Sequence, residues 1–202
     1  MAAHKSPTKL VIVALGLILA LVAGGLTWMW ATKPAMVAQG LGAPFTLTDD
    51  LGQPITEKAL LGQPGLLYFG FTRCPEVCPT TLYEMSGWFD TLGEEGKVLK
   101  AFFFSVDPER DSPELMHNYA IAFTNRITGI TGDPAEMRKL MKAWRIYAAK
   151  VPTQDGDYTM DHTASVLLIN SKGEFMGSIA YGEAADSAVA KIRKLIQQDK
   201  AS

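Results

Sequence analysis

The sequence predicts an α/β domain, a layered sheet with helices that ends in a β-hairpin and a terminal helix, preceded by a single transmembrane helix. Three observations predict it. A short continuous apolar run at 66–71, and a stretch at 98–106 that contains Phe102-Phe103-Phe104, suit strands buried on both faces, and helical patterns follow them. Two further apolar runs, 164–170 and 175–180, flank the tight turn Ser171-Lys172-Gly173-Glu174. Residues 10–30 carry no charge, and about 20 apolar residues are enough to span a bilayer.

The charged flanks orient that N-terminal run. Lys5 and Lys9 precede it, Trp28 and Trp30 lie at its far end, and Lys33 follows. This pattern favours a cytoplasmic segment at 1–9, an anchor at 10–30 and the remaining chain outside. A cleaved signal peptide has a shorter apolar core and a small-residue cleavage site. A lipoprotein would need a cysteine at the end of the run, where Trp-Met-Trp stands. Residues 31–42, with Lys33-Pro34 and Gly40, read as a linker.

The domain is expected over 43–202. Phe45-Thr46-Leu47-Thr48 alternates like a strand, and Asp50-Leu51-Gly52-Gln53 turns it into Pro54-Ile55-Thr56, a small hairpin ahead of the main fold. After the run 66–71, Leu82, Met85, Phe89 and Leu92 share one helical face. Phe102-Phe103-Phe104 marks the next buried strand. Ser112 and Pro113 open a helix lined by Leu115, Tyr119 and Phe123. A short strand at 127–131 leads to Asp133-Pro134-Ala135-Glu136, a capping box whose helix offers Met137, Leu140, Met141 and Trp144. The last helix, 184–198, buries Val189, Ile192 and Ile196. The order βα, βα, βα, ββα gives an α/β layered sheet, and its closing hairpin and helix are thioredoxin-like. Such sheets place chemistry at the carboxyl ends of strands.

Composition excludes some functions. A formal charge of −2 with no Lys/Arg stripe offers no footprint for nucleic acid. At 48% hydrophobic residues, a core forms without disulfide staples.

Cys74-Pro75-Glu76-Val77-Cys78-Pro79 holds the chain's two cysteines, placed after a buried strand at the start of a helix. Residues four apart share a helical face, so the two sulfurs can meet as a disulfide or around one metal ion. A helix N-terminus also favours thiolate. Pro79 either opens the helix or kinks its first turn. An inert buried pair fits poorly with proline beside each cysteine, and a structural disulfide closing so short a loop adds little stability.

His162, in Met160-Asp161-His162-Thr163, is read as a loop residue before the strand 164–170. Alone it is an ordinary surface histidine. With two thiols it would complete a soft sulfur–imidazole site suited to Cu(I). Three ligands are fewer than the four of a structural zinc site. Asp161 is a candidate oxygen ligand for oxidised copper, with solvation the plainer account, and Glu76 reads as solvated. His4 and His117 also read as solvated, and the methionines as core gap-fillers. Asp107-Pro108-Glu109-Arg110-Asp111-Ser112-Pro113 belongs on the same rim as the cysteines. It reads as a charged, locally paired loop in preference to a docking surface.

The motifs Gly70-Phe71-Thr72-Arg73-Cys74-Pro75-Glu76-Val77-Cys78-Pro79, Ser105-Val106-Asp107-Pro108-Glu109-Arg110-Asp111-Ser112-Pro113 and Asp161-His162-Thr163 occur in register. In these the chain resembles the SCO/SenC family of copper chaperones, from about residue 43 to residue 198. The resemblance implies a thioredoxin-like fold with copper, as Cu(I) or in an oxidised form Cu(II), on Cys74, Cys78 and His162. It also implies a role in building the dinuclear copper centre of cytochrome c oxidase subunit II. Glu76, Ser112 and Thr163 stand where Asp, Thr and Ser are common in the family, and none is a proposed ligand.

The expected partners are oxidase subunit II, a copper donor protein and a thioredoxin-like reductant that keeps Cys74 and Cys78 open in an oxidising compartment. The expected location is the bacterial inner membrane with the domain in the periplasm, because no Arg/Ser-rich presequence precedes residue 10. The alternative is the mitochondrial inner membrane facing the intermembrane space. Rival readings are a thiol–disulfide oxidoreductase acting on the oxidase copper-site cysteines through Cys74 and Cys78, a thiol peroxidase, and a copper or redox sensor.

Overall fold

The computed structural model describes residues 43–201 together with Gly16 and Gly24, both helical. Apart from those two glycines, the expected segment 1–9, anchor 10–30 and linker 31–42 lie outside the described residues. Among the described residues no helix is long and apolar enough to cross a membrane. The chain divides into Met1–Gln39 and Gly40–Ser202, and every described strand lies in the second unit.

Seven strands form one mixed sheet: β1 Thr46–Asp49, β2 Pro54–Thr56, β3 Gly65–Gly70, β4 Lys100–Ser105, β5 Thr128–Thr131, β8 Val166–Ile169 and β9 Phe175–Ile179. Their spatial order is β2-β1-β5-β4-β3-β8-β9. The central β3, β4 and β5 are parallel, and the outer strands pair antiparallel. The described α-helices of this second unit are α1 Val77–Leu92, α2 Pro113–Ile121, α3 Pro134–Ala143 and α4 Ala185–Lys200.

The Phe-rich strand fixes the two faces by period-two alternation. Phe103 stacks between Tyr68 and Tyr119, so it faces α2. Phe104 stacks on Phe69 and meets Phe45 edge-on, on the opposite face. Helices α1 and α4 pack together, and Ser86 of α1 donates to the Phe123 carbonyl just past α2. β3 is buried at every position, which explains why it reads as a continuous apolar run.

Leu115, expected to line α2, is exposed, and Met116 and Ala120 take the buried face instead. The strand pattern differs from the sequence reading in two places. The first hairpin does not stand ahead of the fold, because β1 joins the sheet beside β5 and buries Leu47. Alternation announces a strand but not its neighbour. The second difference is an added hairpin between α3 and β8, where the reading had a loop. Strands β6 Ala148–Pro152 and β7 Tyr158–His162 pair with each other as a separate two-stranded sheet. Most of their residues are partly or fully exposed, so no apolar run marks them. Asp155-Gly156, with Gly156 at φ +86°, is the turn signal that was legible.

Candidate metal centre

The carboxyl ends of β3 and β4 form the rim of the site. β3 ends at Gly70, and the chain turns through Phe71, Thr72 and Arg73 to Cys74 before α1 begins at Val77. Pro79 is the third residue of α1, where its missing N–H has no intrahelical acceptor to lose, so it opens the helix without kinking it. Glu76, at the N-cap position, makes no capping bond with its side chain. The Cys74 sulfur serves instead, accepting the Cys78 backbone N–H at 3.3 Å.

Cys78 is fully buried and Cys74 partly exposed. No disulfide joins the two sulfurs. The bond to Cys78 holds the Cys74 thiol down to about 4, and the bond to His162 and backbone N–H groups add to the effect against the opposing burial. The same Cys74 bond, followed by burial, pushes the Cys78 thiol up. The result is one partly exposed thiolate beside one buried thiol. The Tyr68 hydroxyl is buried next to Cys78, and burial followed by the cysteine charge pushes it up.

A glycine makes room for this pair. A Cβ on Gly70 would lie 2.8 Å from the Cys78 sulfur and 2.8 Å from Phe103 Cε2. Only a residue without a side chain lets α1 begin so close to the end of β3.

His162 ends β7 rather than sitting in a loop, which corrects the sequence reading. The hairpin brings its ring to the cysteines: Nε2 lies 3.5 Å from Cys78 Sγ. One ligand atom from each of Cys74, Cys78 and His162 falls within 4.8 Å of the others. The far side of the ring is also held. Nδ1–H donates to the Thr163 carbonyl at 2.9 Å, which fixes the ring and turns Nε2 towards the sulfurs. Thr163 is itself fixed, its N–H donating to Tyr147 O and its hydroxyl accepting from Tyr147 N, both at 3.0 Å. Phe71 and Tyr68 pack edge-on against the imidazole at 5.8 and 6.4 Å. An open cleft lined by Cys74, Met160 and His162 leads to solvent.

The other candidates fall outside the cluster. Asp161 borders the cleft, but its carboxylate is not one of the three clustered ligand groups, since strand alternation turns it away from His162. Glu76 is exposed, as expected. His117 pairs with Asp50 at 3.3 Å rather than with solvent alone, and His4 lies outside the described residues. Met85, Met116, Met137 and Met141 fill the core, as expected.

Sequence reasoning missed the depth of the Asp107–Asp111 loop. Asp107 and Asp111 are buried, not solvated. Asp111 accepts from the Thr72 hydroxyl and the Ser105 hydroxyl at 2.6 Å each, and from Thr72 N–H at 3.2 Å. Burial pushes its carboxyl up, against those bonds. The short polar Ser105 at the end of a Phe-rich strand was the available signal.

Comparison with known proteins agrees with this geometry. The SCO1/SenC family model matches residues 34–197. The chain is 34% identical over 166 residues to the mitochondrial SCO1 homolog 1 of Arabidopsis thaliana, covering 82% of this chain and 50% of that protein. It is 41% identical over 139 residues to the human mitochondrial SCO1 homolog, covering 67% and 46%. It spans about half the length of the curated relatives it matches. The structure of Bradyrhizobium japonicum ScoI with copper bound superposes with a TM-score of 0.71 at 45% identity, covering 76% of this chain and 98% of that one. The α/β fold is thioredoxin-like, as expected. A matching family model over most of the chain, relatives above 30% identity and a shared fold place this chain in the SCO1/SenC family.

Proposed function

We propose that the chain is a copper chaperone for cytochrome c oxidase assembly, carrying copper on Cys74, Cys78 and His162. The observation that carries this reading is the convergence of two sulfurs and an imidazole nitrogen within 4.8 Å. Two soft thiolates and a neutral imidazole match the preference of Cu(I). The ligand set forms with the thiols reduced, and the open cleft lets an acceptor's ligands approach. Transfer then proceeds by stepwise ligand exchange, with the more accessible Cys74 released before the buried Cys78. The relatives named SCO1 and the copper-bound ScoI structure support the assignment of cargo. In this reading the acceptor is the dinuclear copper centre of oxidase subunit II. A copper donor and a thioredoxin-like reductant are the other partners. Residues 10–30 anchor the domain through the linker 31–42 to a bacterial inner membrane, facing the periplasm, or to the mitochondrial inner membrane.

Anaerobic Cu(I) titration of the reduced full-length chain against a chromophoric chelator tests this. One equivalent should bind, and Cys74→Ser, Cys78→Ser and His162→Ala should each weaken binding at least about tenfold. Wild-type affinity in all three variants would refute the reading.

A second reading is favoured by one observation, the partly exposed Cys74, its thiol held down, beside the buried Cys78, its thiol pushed up. That asymmetry suits a thiol–disulfide reductase, with Cys74 attacking a disulfide and Cys78 resolving the mixed disulfide. His162→Ala separates the two: reduction of a peptide disulfide should survive it, and copper binding should not.

A further inference from the structure

The hairpin that carries His162 makes few core contacts of its own, since most of β6 and β7 is partly or fully exposed. Something must set its distance from the cysteines. The buried contacts that do so converge on one loop, residues 107–111, and they run in two directions, while a more exposed pair, Arg73 with Asp157 at 3.5 Å, joins the cysteine turn to the hairpin directly.

Towards the hairpin, Asp107 accepts the Tyr158 hydroxyl at 2.9 Å. Arg110 pairs with Asp107 and donates to the Tyr158 carbonyl at 2.8 Å and to Asp157 at 3.1 Å. Its guanidinium carbon also lies over the Tyr158 ring, 3.6 Å from the centroid. Asp107 is buried and the Arg110 side chain is only 12% exposed, so the bonds between these two and to Tyr158 are shielded from water and salt, whereas Asp157 is half exposed. Towards the cysteines, Asp111 holds Thr72, two residues before Cys74.

Tyr158 opens β7 and His162 closes it, an even number of residues apart, so both project from the same face. A stiff strand of about 13 Å joins the clamp to the ligand. Any slide or roll of β7 that breaks the Tyr158 contacts must move the imidazole as well.

We infer that Asp107, Arg110 and Asp111 form a two-sided bracket that sets the separation of His162 from Cys74 and Cys78. They are positioning residues that touch no metal. The copper consequence rests on the proposed function, whereas the geometric claim does not.

Two measurements on the reduced full-length chain decide it. The first is metal-free. Amide hydrogen exchange in β6 and β7 should accelerate about tenfold in Tyr158→Phe and Arg110→Gln, with α1 and β3 unchanged. Tyr158→Phe removes a single oxygen, so it guards against loss of fold. The second is Cu(I) affinity. Each variant should weaken it about tenfold, the range seen when groups behind a metal ligand are removed. In a His162→Ala background the same substitutions should add no further loss, because a residue acting through His162 has nothing left to position. Glu109→Gln is the control: its pair with Lys150 is exposed, and both readouts should stay at wild-type values. Unchanged exchange in Tyr158→Phe and Arg110→Gln would overturn the bracket. So would a loss of affinity that persists in full without His162. If wild type takes up no Cu(I), the copper reading falls and the exchange measurement still judges the bracket.

Discussion

Replacing Gly70 by alanine adds one methyl group at the tightest point of the site. The new carbon would sit 2.8 Å from Cys78 Sγ, 2.8 Å from Phe103 Cε2 and 3.2 Å from Tyr68 Cε1. Unstrained contacts of this kind lie at roughly 3.5–4.0 Å, so two of them overlap by about 0.7–1.2 Å. Neither neighbour has an easy escape. Phe103 is stacked between Tyr68 and Tyr119, and Cys78 is buried in the first turn of α1. Overpacking of this kind costs about 1–3 kcal/mol. For a domain of this size that lowers Tm by roughly 2–12 °C. Metal–ligand distances tolerate only about 0.2 Å, so a sulfur displaced several times that far should weaken Cu(I) binding about tenfold or more. The assay is thermal unfolding and Cu(I) competition on the reduced chain, with Gly65→Ala as a matched control. Gly65 begins the same strand, where an added carbon meets the Ile169 side chain at 3.1 and 3.2 Å. That variant should lose some stability and keep its copper affinity. If Gly70→Ala binds copper as wild type does, or if Gly65→Ala weakens binding equally, the steric argument is wrong.

The Cys74 thiol, held at about 4, should be a thiolate throughout the neutral range. Its alkylation by iodoacetamide should therefore be nearly pH-independent from about pH 6 to pH 8, unlike a free thiol near 8.5, with Cys78 protected; mass spectrometry of the labelled peptides reads this directly. The same shift has a defined sign for stability. The unfolded chain binds one more proton at Cys74 than the folded one between the two pKa values, so stability of the reduced form should fall as pH drops towards 4 and rise towards 9. Above that point the raised Cys78 thiol reverses the trend, because the unfolded chain then releases a proton that the folded one retains. Urea midpoints compared with the double Cys74→Ser, Cys78→Ser variant would expose both limbs; parallel curves would count against the shifts. Asp111→Asn places an amide where three donated bonds arrive, and should destabilise the fold by about 1–3 kcal/mol by denaturant titration.

Much of the fold was legible because its central strands are buried on both faces. β3 reads as a continuous apolar run and β4 is marked by Phe102-Phe103-Phe104, and the helix starts at Ser112 and Asp133 announce themselves through their caps. The hairpin β6–β7 was not legible, because strands standing away from the core have no apolar pattern to display. For the same reason His162 read as a loop residue.

The sequence by itself determined the chemistry available: two thiols four residues apart at a helix start, one histidine in a recognisable motif, and a sheet able to present them at its carboxyl edge. Ligand identity is a property of side chains, and spacing along one turn is a local matter. Only the tertiary structure decided that the imidazole reaches the sulfurs, at 3.5 Å from Cys78, and that Gly70 leaves space for it to happen. Residues 84 positions apart meet through the pairing of a hairpin and the buried bonds of Asp107 and Arg110. Those contacts join distant segments, and their partners leave no periodic trace along the chain.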